Sequence, residues 1–160
     1  MASFGFGGAS ANRQQQQEID SSTPWMAASE GNLSLLQSSL SFLQLPVAAA
    51  DENGYTLLHA AASYNQLPII HYLLQNHVDI NAVDNDGDSV LHHVGNLETA
   101  KLLIEVGKAN PSIVNKQGKT ALQAKQEELD EMMSDEDVED DDEDLETLKV
   151  VVGYFSTLLR

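Results

Sequence analysis

Apolar side chains recur at intervals of three and four residues in four separate segments of this 160-residue chain. Spacing of this kind puts apolar positions on one face of a helix. The pattern therefore predicts four amphipathic helices, each with one buried face. Their apolar positions are Leu33, Leu36 and Leu40; Leu67, Ile70, Leu73 and Leu74; Leu97, Ala100, Leu103 and Ile104; and Leu145, Leu148, Val151, Val152 and Phe155.

A phrase of six residues precedes the first three of these helices. It reads TPWMAA from Thr23, TLLHAA from Thr56 and SVLHHV from Ser89, and both steps between copies are 33 residues. A shorter fourth copy, TALQA, begins 31 residues later at Thr120. Glycine stands two residues before each of the last three copies, as a turn with positive φ requires.

A period of 33 residues built on the phrase T-P-L-H-x-A is typical of ankyrin repeats, and from about Ser21 onward the chain resembles an ankyrin-repeat protein. The resemblance implies an all-α solenoid of about four helix–turn–helix repeats with short β-hairpin turns. The expected repeats span about 21–50, 51–84, 85–115 and 116–160. Residues 1–20 are rich in Gly, Ser, Ala and Gln, and we expect them to form a disordered low-complexity tail.

Local signals predict how the helices of the first two repeats begin. Pro24 lies in a first helical turn, where its missing N–H does no harm, and Thr56 is the expected cap of the next inner helix. The family's histidine, matched here by His59, hydrogen-bonds the backbone of the neighbouring loop. We expect this structural role for His59 rather than that of a ligand or base. Trp25 and Met26 stand where the family has Leu and His, a departure expected of a terminal repeat.

Repeat three departs from the period. Six residues separate His59 from Asn65, but only three separate His92 from Gly95, so the inner helix has lost about one turn of 3.6 residues. One residue returns in the segment 107–110. The shortened helix predicts a notch in the concave surface, which either fits a partner or is tolerated drift.

The negative charge is concentrated in one stretch. The formal net charge is −17, and fourteen of the 25 acidic residues lie between Glu127 and Glu146 with no basic residue among them. The rest of the chain carries 8 − 11 = −3. We expect an inner helix through Glu128, a disordered acidic insertion over 130–144, and a second helix from Leu145 to about Leu159 with Asp144 as its N-cap.

Catalytic and metal-binding chemistry find no support in the sequence. The chain has no cysteine, and the acidic turn Asp84–Asp88 fails as a calcium loop because Ala82 and His93 occupy ligand positions 1 and 12. His92 and His93 are adjacent and diverge on a helix. No nucleophile motif, P-loop or dinucleotide turn is present. We expect a protein that is not an enzyme and has no cofactor and no metal.

Partners other than protein are also disfavoured. Eight basic residues are few for phosphate contacts, and no apolar run approaches the ~20 residues of a membrane span. The N-terminus lacks the basic and apolar segments of a secretory signal. We expect a cytoplasmic or nuclear protein, monomeric on its own, that binds protein rather than nucleic acid or membrane.

In the family, turn tips and the inner-helix surface contact the partner. The two tyrosines at such positions are the best anchor candidates, since aromatic residues are enriched among hot spots. The alternative, that a tyrosine packs between repeats, is stronger for Tyr64 than for Tyr55. The matching positions are Glu52, Asn53, Tyr55, Ser63, Tyr64, Asn85, Asp86, Asp88, Lys116, Gln117 and Lys119.

The acidic insertion has two interpretations: a solvated loop that adds only solubility, or an electrostatic arm for a basic partner. Ser134, followed by three acidic residues, suits an acidophilic kinase. The architecture resembles ankyrin proteins that escort newly made ribosomal proteins, which implies a basic client. The alternative is a general adaptor in signalling or transcription with an inert loop. The arm would use Asp135, Glu136, Asp137, Glu139, Asp140, Asp141 and Asp142.

Overall fold

A computed structural model describes residues 18–135 and 142–159 of the chain. Within these ranges the secondary structure is helical, and no strand is formed beyond three isolated antiparallel bridges, Ala50–Thr56, Val83–Ser89 and Val114–Thr120. The all-α fold is confirmed, and each expected hairpin is reduced to one bridge. The helices are α1 (Thr23–Glu30), α2 (Leu33–Leu43), α3 (Leu57–Ser63), α4 (Leu67–Gln75), α5 (Leu97–Lys101), α6 (Ala121–Ser134) and α7 (Glu143–Leu158).

The helix ends follow the local signals in the sequence. Pro24 lies in the first turn of α1, which ends at Gly31 with φ +76°. Asn32 caps α2 by accepting a hydrogen bond from a backbone N–H of that helix, and Thr56 forms a capping box with His59 at the start of α3. Each repeat therefore sets its own helix boundaries through side chains of the turn.

The predicted disordered tail, residues 1–20, includes one residue that belongs to the folded part of the chain. The Asp20 carboxylate accepts the backbone N–H groups of Ser22 at 2.9 Å and Thr23 at 3.1 Å, so Asp20 belongs to the start of α1. Residues 1–17 lie outside the described part of the chain.

One apolar core runs through all the repeats. It includes Ala27 of α1 and Phe155 of α7, and the predicted faces contribute fully buried residues such as Leu36, Leu73 and Leu103. Ile69 is equally buried, although the spacing did not include it. In the described part of the chain, no helix has the length and apolar character that crossing a bilayer requires.

The acidic segment is shorter than expected because a second apolar cluster holds both of its ends. Leu129, Leu145, Leu148 and Val152 are buried together, with Met132 packed against them. This packing carries α6 to Ser134, beyond the expected end at Glu128, so the prediction of disorder is wrong for 130–134 and for Glu143 and Asp144 in α7.

The N-cap of α7 is Asp142 rather than Asp144. The Asp142 carboxylate accepts the backbone N–H of Asp144 at 2.9 Å and of Leu145 at 3.2 Å. Asp144 itself lies in the first turn of the helix, where a negative charge is also favourable.

Repeat three has the predicted short inner element. Only a 3₁₀ turn, Val90–His92, stands where α3 stands in repeat two. The extra residue that partly offsets the lost turn lies earlier than expected. It is taken up where α5 continues in a π-helical turn, Leu102–Val106, before the segment 107–110. The Ala109 N–H consequently reaches Leu103 O, six residues back, whereas Val78 N–H reaches Leu73 O, five residues back.

Three turn tips, residues 51–55, 84–88 and 115–119, stack on one another through backbone hydrogen bonds. Asn85 N–H donates to Asn53 O at 2.8 Å, and Lys116 N–H donates to Asp86 O at 2.9 Å. The Asn85 side chain adds a bond to Glu52 O at 2.9 Å. The tips therefore lie side by side along one edge of the stack.

Two of the glycines with positive φ, Gly87 and Gly118, differ in that only Gly87 lies against the next tip. Substituting each by alanine therefore distinguishes the free-energy cost of positive φ from the cost of disturbing the stacked tips. Gly87 and Gly118 have φ of +79° and +74°, but a Cβ at Gly87 would lie 3.0 Å from Lys116 N, whereas one at Gly118 meets nothing within 4 Å. We expect Gly118→Ala to lower the free energy of unfolding by about 1–2 kcal/mol. Gly87→Ala should cost about 1–3 kcal/mol more. Urea unfolding of both variants measures the difference, and equal losses would contradict the stacking contact.

Candidate protein-binding surface

A buried histidine joins repeat two to the tip of repeat three. His59 Nε2–H donates to Asp88 O at 3.1 Å, while Nδ1 accepts the Thr56 N–H at 3.2 Å. A ring nitrogen that accepts an N–H carries no proton, so this geometry requires the neutral imidazole. Burial lowers the pKa of His59 below its ordinary value of 6.5, and the bond to Asp88 opposes only part of that effect. The structural role expected for His59 is confirmed.

The same link recurs on both sides of His59. His92 Nε2–H donates to Lys119 O at 3.0 Å, and in repeat one Trp25 Nε1–H donates to Tyr55 O at 2.7 Å. The three acceptor residues directly precede Thr56, Ser89 and Thr120, so they are equivalent. Trp25 thus supplies the donor that Met26, at the histidine position, lacks. Sequence reasoning missed this substitution because the donor moves by one position along the helix.

Tyr55 is part of an internal aromatic cluster with two histidines. Its ring centroid lies 5.3 Å from that of His59 and 5.2 Å from that of His93, and its hydroxyl lies 2.8 Å from Ser63 Oγ. Tyr64 is 63% exposed. The preference between the two tyrosines was therefore wrong: packing between repeats describes Tyr55, and Tyr64 is the one that is open to a partner.

The Asp84 carboxylate holds the second tip, residues 84–88, in place through hydrogen bonds. One carboxylate oxygen accepts the Asp86 N–H at 2.9 Å and the Asp88 N–H at 3.0 Å, and the other lies 3.0 Å from His93 Nε2. Burial opposes ionisation of this carboxyl, but the hydrogen bonds from His93 and the tip backbone outweigh it and hold its pKa below 3.8.

His59, Asp84 and His93 are the described residues whose ligand atoms come closest to a metal-binding arrangement, lying within 4.8 Å of one another. The bonds described above account for this proximity, since His59 binds Asp88 and His93 binds Asp84. A cation bound by these three side chains would displace both of these hydrogen bonds. No local pattern indicated this group, because the contact of His93 with His59 is made between neighbouring repeats.

The segment that follows the shortened inner element packs against repeat two. A Cβ on Gly95 would lie 2.8 Å from the Asn65 side chain and 3.0 Å from Ser63 O, so the segment after the 3₁₀ turn lies directly on the end of α3. Thr99 Oγ1 also donates to the Asn65 side chain at 3.1 Å. The segment that follows the lost turn is therefore packed directly on repeat two.

The predicted contact residues differ in how much of each is accessible. Among them, Asp88 is held by a bond from Asn115 to its carboxylate at 2.7 Å, and Lys119 forms an ion pair with Glu127. Tyr55, Ser63, Asp88 and Lys119 are only partly exposed. The fully exposed positions are Glu52, Asn53, Tyr64, Asn85, Asp86, Lys116 and Gln117.

The proposed acidic arm is described only at its two ends. Asp135 is exposed just after α6, and Asp142 is the partly buried N-cap of α7. Ser134 is exposed in the last turn of α6, where its hydroxyl donates to Glu131 O at 2.8 Å. Glu136, Asp137, Glu139, Asp140 and Asp141 lie outside the described residues.

Comparison with known families supports the repeat pattern. A family model described as ankyrin repeats (many copies) matches residues 25–74 and again residues 58–104. The two matches together span 25–104, half of the 160-residue chain. They cover α1 to α5 and the first two of the three stacked tips.

The depressed pKa of His59 predicts how stability depends on pH. Above 6.5 the imidazole is neutral in both the folded and the unfolded chain. As the pH falls below that value the unfolded chain binds a proton that the folded chain resists, so stability is lost. Asp84 adds a further loss only below 3.8, so it does not contribute in the interval down to about pH 5.

We expect His59→Gln to be less stable than the wild type at pH 7 but to lose less stability between pH 7 and about pH 5. Urea unfolding at a series of pH values measures both slopes. His71→Gln, which removes an exposed histidine from α4, is the matched control and should keep the wild-type slope. An unchanged slope in His59→Gln would contradict the assignment of a neutral, buried imidazole.

Proposed function

The chain belongs to the ankyrin-repeat family of protein-interaction modules, and we propose that it escorts or shields a basic client protein such as a newly made ribosomal protein. The family is typically a non-enzymatic scaffold, so the function is one of binding. A basic protein exposed before assembly aggregates and binds stray RNA unless its charge is neutralised. An acidic scaffold would supply that neutralisation.

The observation that carries the proposal is an excess of acid at the end of α6 and the start of α7. In the described part of α6 and α7, the three ion pairs are Lys119–Glu127, Lys125–Glu128 and Lys149–Glu146. They use both lysines of α6 and α7, together with Lys119 of the third tip. Four further acids there have no basic partner among the described residues: Asp130, Glu131, Glu143 and Asp144.

This excess favours long-range attraction over specific pairing. Like charges held close together raise the local negative potential, which attracts a polycation and speeds its association. Such attraction acts within a Debye length of about 10 Å at 0.1 M salt. We therefore expect the acidic segment to set the rate and salt dependence of client binding, while the exposed tips set the orientation.

Ser134 offers a way to increase the same charge. It is exposed and is followed by Asp135, Glu136 and Asp137, a context that acidophilic kinases favour. A phosphate adds about two negative charges, and at a helix C-terminus it opposes the helix dipole. We propose that phosphorylation of Ser134 strengthens binding of a basic client and loosens the last turn of α6.

A general adaptor in signalling or transcriptional control is the second candidate. The observation that favours it is Tyr64, whose side chain is 63% exposed at the end of α3. A large exposed aromatic residue suits an apolar or mixed partner. In that case the acidic segment would be inert.

We also propose that the protein is monomeric before it binds its client. The cytoplasm or the nucleus is the proposed location, since ribosomal proteins are made in one and assembled in the other.

Neutralising the acidic segment tests the escort function. The variant Glu136→Gln, Asp137→Asn, Glu139→Gln removes three charges, and Glu18→Gln, Glu30→Gln, Glu98→Gln removes three from exposed positions elsewhere. Ribosomal proteins extracted from purified ribosomes are passed over each immobilised chain and identified by mass spectrometry. The captured protein is then titrated against each chain.

We expect the acidic-segment variant to bind about tenfold more weakly at low salt, and the control variant to stay close to the wild type. The difference should largely disappear at about 0.5 M salt because the charges are screened. Binding that is equal for all three chains at every salt concentration would favour the adaptor. Failure to capture any ribosomal protein would contradict the escort proposal.

A further inference from the structure

The first turn tip has no tip before it. Asn85 and Lys116 stand four residues before Ser89 and Thr120, and each donates its backbone N–H to the preceding tip. The equivalent residue of the first tip is Glu52, four residues before Thr56. Among the described residues no acceptor pairs with the Glu52 N–H. Within the described part of the chain, the ladder of tips therefore ends here with the Glu52 N–H unpaired.

A cavity of about 510 Å³ lies between the first tip and the start of α1. Its wall combines the side chains of Trp25 and Leu45 with the acidic pair Asp51 and Glu52. The hydrogen bond from Trp25 Nε1 to Tyr55 O fixes the indole, which is partly exposed. An indole held by a hydrogen bond thus lines the same cavity as two acidic residues, so less ordering is needed on binding.

The chemistry of this wall selects a cation. One carboxylate oxygen of Asp51 accepts the N–H groups of Asn53 at 2.8 Å and Tyr55 at 2.9 Å, which holds the charge in place. The guanidinium group of arginine stacks on indole rings and donates to carboxylates with matching geometry, so it satisfies both parts of the wall. Lysine satisfies them less well, because its charge is a compact point.

We propose that this open edge binds an extended, arginine-containing segment of the client. A backbone carbonyl of that segment would accept the Glu52 N–H, as Asn53 O accepts that of Asn85, while its arginine would lie between Trp25 and the carboxylates of Asp51 and Glu52. Added strands of this kind bind through the main chain and gain specificity from side-chain pockets. The inference rests on the proposed function only in that the client is basic.

The chain has a built-in reporter for this site, because Trp25 is its sole tryptophan. The probe is an acetylated and amidated tetra-arginine peptide, titrated at low salt while tryptophan emission is recorded. Tetraglutamine with the same end groups is the uncharged control, and tetralysine tests the preference for a guanidinium. We expect a saturable change in emission with tetra-arginine, a weaker one with tetralysine and none with tetraglutamine.

Two matched variants locate the binding site. Glu52→Gln removes one charge from the cavity while keeping the backbone bonds of the tip. Asp86→Asn removes one charge from the exposed second tip, outside the cavity. We expect Glu52→Gln to weaken the peptide about threefold to fivefold, as for one partly exposed ion pair, and Asp86→Asn to leave it unchanged. Urea unfolding should give the wild-type midpoint for both variants.

Other outcomes would overturn the proposal. Equal weakening by Glu52→Gln and Asp86→Asn would mean attraction to the net charge, without a site. A change in Trp25 emission that grows with protein concentration alone would identify a second copy of the chain as the occupant. The variant neutralised at Glu136, Asp137 and Glu139 should keep the Trp25 response. The two proposals can therefore be contradicted separately: the first tip can lack a site for arginine while the acidic segment captures ribosomal proteins, or the first tip can bind arginine while no ribosomal protein is captured.

Discussion

One hydrogen bond, made three times, holds this array in register. A ring N–H on each inner element donates to the last backbone carbonyl of the next turn tip: Trp25 to Tyr55, His59 to Asp88, and His92 to Lys119. Each bond fixes one turn tip against the helix before it, so the tips can then stack through their own backbones. The apolar core supplies most of the stabilisation of such a stack, but these polar links determine which carbonyl meets which helix.

The regular parts of the structure could be predicted from the sequence because each repeat carries its own instructions. Thr56 and His59 form a capping box within three residues, and Leu73 and Leu103 fall on a helical period, so neither needs knowledge of the rest of the chain. The irregular parts depended on contacts between distant residues. Leu129 packs on Leu145 across the acidic segment and extends α6, which no local pattern reveals.

The candidate surface was less predictable than the fold for the same reason. The position of Tyr55 in the repeat suggested exposure, but His93 of the neighbouring repeat lies against it. In the sequence, Trp25 is a departure from the family pattern. In the structure, its indole N–H replaces the missing imidazole donor, and the residue forms part of the wall of a cavity. Both findings require the three-dimensional relation between neighbouring repeats, which the spacing of one repeat does not contain.

Function is therefore best sought at the two places where the array stops repeating. In the proposed function, the acidic segment inside repeat four supplies charge that acts at a distance, and the proposed site at the first tip acts on contact. We propose that a basic client is attracted by the first and oriented by the second. Such a division would let a small scaffold bind a highly charged chain without pairing every charge.

Amide hydrogen exchange, followed residue by residue by NMR, tests the ladder of tips most directly. The account predicts slow exchange of the Asn85 and Lys116 amides, which are bonded to the preceding tip, and fast exchange of the equivalent Glu52 amide, which is not. Exchange of Asn85 and Lys116 as fast as that of Glu52 would contradict the account, because the tips would then not be joined in a ladder with one open end.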